Sequence, residues 1–106
     1  MPLLAHLCRD YFELGRIEAM AAGLGLDARH WHEVPAGLPS SENSWFIVDL
    51  LEPNALELAC AARDAGWRVL AYGPHVRGEL FAAAREAGLE ACARSALDRV
   101  LAGRAC

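Results

Sequence analysis

Ser44-Trp-Phe-Ile-Val-Asp49-Leu-Leu-Glu-Pro53 is the stretch on which the reading of this chain turns. Trp45 to Val48 is an unbroken run of aromatic and β-branched residues with no polar alternation, the composition of a strand buried on both faces. The run extends through Leu50 and carries a single acid, Asp49, near its end; Pro53 stands four residues beyond that acid. A carboxylate there sits at the carboxyl edge of a buried strand, where ligands bind in open α/β sheets.

Working outward, Leu3 to Cys8 reads as a first buried strand, and Phe12, Ile17, Met20, Ala21 and Leu24 follow at helical spacing, with Gly23 and Gly25 as stop signals. Ala28 to Val34 alternates, with His30, His32 and Val34 on one face and Arg29, Trp31 and Glu33 on the other, as in an edge strand with a wetter side. The two prolines, one glycine and two serines of Pro35 to Asn43 leave room for a turn or a short helical piece. Asn54-x-x-Glu57 has the form of a capping box, opening a helix whose apolar face is Leu58, Ala59, Ala62 and Ala65 and which ends at Gly66.

Trp67 to Tyr72 is a further strand, closed by Gly73-Pro74. A helix over Arg77 to Ala87 turns Leu80, Phe81, Ala84 and Ala87 inward and is capped by Gly88. Ala91 to Ala93 is a short last strand, and Ser95-x-x-Asp98 opens a final helix bearing Leu97, Val100 and Leu101. Strands alternating with helices imply an α/β fold: a parallel sheet covered on both sides, with right-handed crossovers. The chain of 106 residues is expected to form one domain, without repeat, low-complexity segment or linker.

Composition removes several classes of function. The formal charge is −4 with a pI near 5.5, and no basic stripe marks a nucleic-acid binder or an acidic-membrane binder. No apolar run reaches the ~18 residues of a membrane span. The opening Met1-Pro-Leu-Leu-Ala-His lacks a signal peptide's basic start, so a cytoplasmic location is expected. The four cysteines, Cys8, Cys60, Cys92 and Cys106, follow no C-x-x-C spacing and read as small apolar residues, with Cys106 open to oxidation between molecules. There is no lysine and no threonine in the chain.

At this point the chain resembles the receiver domain of bacterial response regulators, a flavodoxin-like fold. Val48-Asp49-Leu-Leu-Glu-Pro53 matches the phosphoacceptor aspartate with its following proline. Val69-Leu-Ala-Tyr-Gly-Pro-His-Val76 matches the fourth strand and its loop, and Ala82-Ala-Ala-Arg-Glu-Ala-Gly88 the fourth helix. The resemblance implies a three-layer sandwich, a five-stranded parallel sheet of order 2-1-3-4-5, and a second helix shortened or absent. It makes Asp49 the phosphoacceptor equivalent and Asp10 the acidic-pocket, metal-holding equivalent, with Arg9, Gly73, His75 and Arg94 lining the pocket.

The departures from the family's pattern carry as much weight. A receiver uses an acidic pair after the first strand to help hold magnesium; here the pair is Arg9-Asp10, or Asp10-Tyr11 in a shifted register. The hydroxyl residue that closes strand four is replaced by Gly73, and the lysine that closes strand five by Arg94. Arginine's planar fork differs from a lysine ammonium in reach and geometry. Arg9, turned inward, would pair with Asp49 in the metal's place. The expectation is a pseudo-receiver, with no metal and no cofactor, that retains the fold and has lost much of the switch. Magnesium is expected only if Asp49 remains a live phosphoacceptor of a two-component relay, which is the alternative.

Other constellations have plainer readings. His75 beside the pocket is a solvated loop histidine, or a partner of Asp49 titrating near neutrality. His30 and His32 could share a soft metal, but no third ligand stands at a useful spacing. Cys8 ends the first strand where phosphocysteine proteins and small tyrosine phosphatases place their nucleophile. The Arg-Asp-Tyr-Phe-Glu that follows puts acids where a phosphate cradle belongs and Leu14 where the phosphatase arginine stands, so an enzyme is not expected. With no effector segment after Cys106, output is expected through protein binding, first through a homodimer formed by the last strand, the last helix and the helix before them.

Overall fold

The computed structural model describes residues 3–7, 11–30 and 44–105, with side chains described over the same ranges except 11–13 and 105. Along the chain run β1 (Leu3–Leu7), α1 (Tyr11–Leu24), β2 (Asp27–His30), β3 (Trp45–Asp49), α2 (Ala55–Asp64), β4 (Arg68–Gly73), α3 (Gly78–Glu86), β5 (Glu90–Ala93), a 3-10 turn (Arg94–Ala96) and α4 (Leu97–Ala105). The five strands form one sheet in the order β2-β1-β3-β4-β5, and every neighbouring pair is parallel. This is the expected flavodoxin-like arrangement. The expected shortening of the second helix concerns residues 31–43, which lie outside the described residues.

All five residues of β3 are buried, as its unbroken apolar run requires. Strand alternation divides the core in two. On one side Leu4, Trp45, Ile47, Leu70 and Tyr72 pack under α1 and α4 through Ile17, Ala21, Leu97 and Leu101. On the other, Ala5, Leu7, Phe46, Val48 and Ala71 pack under α2 and α3 through Ala55, Ala59, Ala62 and Ala84. Alanines dominate the helix faces of the second side, which lets α2 approach β3 and β4 closely.

β2 and β5 are the sheet edges, and Arg29 on β2 is exposed, in keeping with a strand that has a wet side. At the amino edge, Ser44 Oγ accepts a hydrogen bond from Leu3 N (3.0 Å), and the Arg68 guanidinium lies 4.3 Å above the Trp45 ring. Arg68 also donates to the carbonyl of Arg104 (2.9 Å), which ties the end of α4 to the start of β4.

Three local expectations are corrected. Asn54 does not cap α2 with its side chain; its backbone is left-handed (φ 59°, ψ 23°), and no side-chain cap bond forms. Asparagine tolerates that conformation because its short polar side chain is compatible with it, so the residue turns the chain into the helix. Ala65 is exposed beyond the last turn of α2, so the buried face ends at Ala62. Gly23 lies inside α1; Gly25 (φ 72°) is the residue that takes the positive φ after it.

Candidate functional site

Asp49 is the last residue of β3, its Cα paired with that of Tyr72 on β4, and only 6% of its side chain is exposed. Its Oδ1 accepts a hydrogen bond from Leu51 N (2.9 Å), and its backbone carbonyl accepts one from Glu52 N (3.0 Å). These two bonds fold the chain sharply back at the end of the strand. A short aspartate side chain suits this closure, which needs an acceptor reaching an amide two residues ahead.

Arg94 follows β5 directly and brings Nη2 to 3.5 Å from Asp49 Oδ2. The contact crosses the end of β4, where Tyr72 stands between the two in sheet order; the Arg94 guanidinium carbon lies 5.9 Å from the Tyr72 ring centroid. One third of the Arg94 side chain is exposed (32%), so the cation keeps contact with water while it faces a buried carboxylate. The structure therefore joins two of the residues singled out in sequence, Asp49 and Arg94, into one ion pair.

Gly73 ends β4 on the opposite face. A Cβ built there would meet Leu50 Cβ at 3.5 Å, Leu50 Cδ1 at 3.7 Å and Phe81 at 4.0 Å, all ordinary contacts. The glycine thus leaves a small space against Leu50. His75 is exposed in the turn after β4. Asp10, Arg9 and Cys8 lie outside the described residues, as do His32 and Cys106.

Sequence reading passed over His6, which sits within an apolar run and was counted with it. It is fully buried, and its ring stacks on that of His30 across the β1–β2 pair (centroids 4.9 Å apart, planes 22° apart). Burial and the neighbouring His30 push the His6 pKa down to about 4. Stacked rings present faces to one another, whereas metal ligation uses nitrogen lone pairs in the ring plane. Among the described residues no group of three or more His, Cys, Asp or Glu is gathered for a metal. The signal available in sequence was parity: His6 shares Leu4's face of β1, and His30 stands opposite it in register. Of the cysteines, Cys60 and Cys92 are half-buried free thiols, and burial pushes the Cys92 pKa up to about 11, far from the range of a reactive thiolate.

Comparison with known proteins agrees with this architecture. No protein-family model matches the chain, and no curated protein sequence matches it. Among solved structures it is similar to a response regulator receiver protein from Burkholderia phymatum, with a TM-score of 0.71 and 17% identity over 95% of this chain and 89% of that one. At that identity the likeness establishes the fold. Among the described residues no helix is long and apolar enough to cross a membrane.

Proposed function

We propose that this chain is a regulatory protein–protein interaction module built on a receiver-like fold, with its phosphorylation switch degraded. The observation that carries the reading is the Asp49–Arg94 pair: the carboxylate a phosphoryl group would need is buried, bonded to Leu51 N and faced by a cation. Sequence supports the same reading. With no lysine or threonine in the chain, the usual phosphate-pairing ammonium and its hydroxyl partner have no counterpart at Arg94 and Gly73. An arginine already matched to a carboxylate favours one fixed arrangement over exchange between two.

Binding then carries the output. The face made by α3, β5 and α4 offers an edge strand and two helix flanks, and a homodimer through it is the first assembly to examine. Light scattering at increasing concentration is expected to show a dimer; a monomer throughout removes this assembly. Intact mass after incubation with magnesium and acetyl phosphate is expected to remain unchanged. A gain of one phosphoryl group that disappears in Asp49→Asn would establish the alternative, a live phosphoacceptor, and overturn the degraded-switch reading.

A further inference from the structure

Asp49 and Arg94 belong to strands that are not neighbours. β4 lies between β3 and β5, and two strand spacings amount to roughly 9–10 Å, so a side chain leaving the end of β5 has to lie across β4 to reach Asp49. The residue it crosses is Tyr72. Its Cα is paired with that of Asp49 on one side and that of Cys92 on the other. Tyr72 packs with Trp45 and Ile47, and strand alternation puts Asp49 on the same face of β3 as those two, so acid and ring stand on one side of the sheet. Among the described residues Tyr72 is the largest fully buried side chain. Its backbone carbonyl accepts a hydrogen bond from Leu50 N (2.8 Å), which ties it to the turn after Asp49. The Arg94 guanidinium carbon lies 5.9 Å from the Tyr72 ring centroid, at the outer limit of a cation–π contact, and Arg94 Nε is shielded from water.

We infer that Tyr72 is the positioning residue that carries Arg94 across β4 to Asp49, and that its ring sets the preference for arginine over lysine at residue 94. A fixed aromatic face supports a flat guanidinium, which packs against the ring and still turns its outer nitrogens to the carboxylate. An ammonium is a compact, strongly hydrated charge with no plane to lay against the ring, and it loses more by leaving water over an apolar strand. The inference deepens the degraded-switch reading and rests on it: it names the part of the core that holds the Asp49–Arg94 pair closed. It also gives the absence of lysine at residue 94 a local physical reason, separate from the absence of lysine in the chain as a whole.

Two measurements test it, on the full chain. The first is hydrogen exchange of the Arg94 Nε–H group, followed by 15N NMR and assigned by its loss in Arg94→Lys, with the β3 backbone amides as the internal record of general loosening. Tyr72→Phe keeps the ring, and Tyr72→Met replaces it with a flexible side chain. Exchange at Arg94 is expected within twofold of the parent in Tyr72→Phe and at least tenfold faster in Tyr72→Met, after division by the change at the β3 amides. An equal acceleration at Arg94 and at the β3 amides would assign Tyr72 a packing role only and overturn the inference, as would release of Arg94 in Tyr72→Phe. The second measurement leaves residue 72 untouched and does not depend on either variant folding. Arg94→Lys is expected to lower the unfolding stability constant about fivefold in the parent, and no more than twofold in Tyr72→Met. Equal stability of the parent and Arg94→Lys, or the same loss in both backgrounds, overturns the arginine preference. Incubation of the parent with acetyl phosphate reads the switch itself, so phosphorylation of Asp49 with these effects intact would sink the degraded-switch reading and leave the placement of Arg94 by Tyr72 standing.

Discussion

Replacing His6 with leucine should remove a specific, calculable part of the pH dependence of folding. In the folded chain His6 has a pKa of about 4, against 6.5 for an unperturbed histidine. The imidazole is held neutral because protonation would place a charge inside the core and against His30. A folded-state pKa below the unfolded value means that the unfolded chain binds the extra proton. Stability is then fully present above about pH 6.5, is lost as pH falls from there, and levels off below about pH 4. At about 1.36 kcal/mol for each pKa unit, the loss between pH 7 and pH 5 is about 2 kcal/mol, and by pH 4 about 3 kcal/mol.

Carboxylates also titrate over part of this window, so the parent curve alone does not isolate His6. The difference between the parent and His6→Leu isolates the His6–His30 stack, because every group outside it is common to both. Urea unfolding followed by circular dichroism at half-unit steps from pH 7.5 to 4 gives the two curves. The parent should lose about 2 kcal/mol more than the variant by pH 5. A difference that stays constant with pH, or grows in the other direction, would refute the argument that the buried stack holds His6 neutral.

Three further outcomes follow from the geometry around Asp49. Arg94→Met should destabilise the fold by about 1 to 2 kcal/mol at pH 7, because it takes a cation from a buried carboxylate, and Asp49→Asn in the same background should recover part of the loss; a urea double-mutant cycle reads both. Asn54→Gly should be neutral or slightly stabilising, whereas Asn54→Val should cost about 1 to 2 kcal/mol for a β-branched residue at positive φ; equal melting temperatures for the two would contradict the left-handed assignment. Gly73→Ala should leave stability unchanged or raise it by up to about 1 kcal/mol, since the new Cβ meets Leu50 and Phe81 at ordinary distances, and a marked drop in melting temperature would show that the space is not open.

Much of the fold was legible because single residues carry local physics strongly. The β3 run could not alternate, so it had to be central, and it lies between β1 and β4. Gly25, Gly66 and Gly88 each adopt the positive φ that their places after helices suggested. Strand and helix limits moved by a residue or so where the pattern is symmetric: β4 runs Arg68–Gly73 where Trp67 to Tyr72 was expected, and the last helix proper starts at Leu97 after a 3-10 turn. The Asn54 capping box failed for a physical reason. An asparagine three residues before a glutamate fits both a side-chain cap and a left-handed turn, and only the path of the preceding loop selects between them.

The site was legible in part. Asp49 and Arg94 were named as residues of one pocket, but 45 residues separate them, and only the winding of the sheet sets their 3.5 Å contact. His6 carries only the weak signal of parity: it shares the core face of Leu4, and its stack on His30 depends on the β1–β2 register.

The division of the core by β3 fixes the register of the strand. Sliding the strand by one residue would exchange its two faces, putting Phe46 and Val48 under α1 and α4 and Ile47 under α2 and α3. The strand is therefore locked lengthwise, and its paired neighbours move with it. Asp49 looks to one half of the protein and Leu50 to the other, and a single peptide bond joins them. Leu50 N donates to the Tyr72 carbonyl (2.8 Å) and Glu52 N to the Asp49 carbonyl (3.0 Å), so the turn that carries the chain from one half to the other is pinned to the sheet.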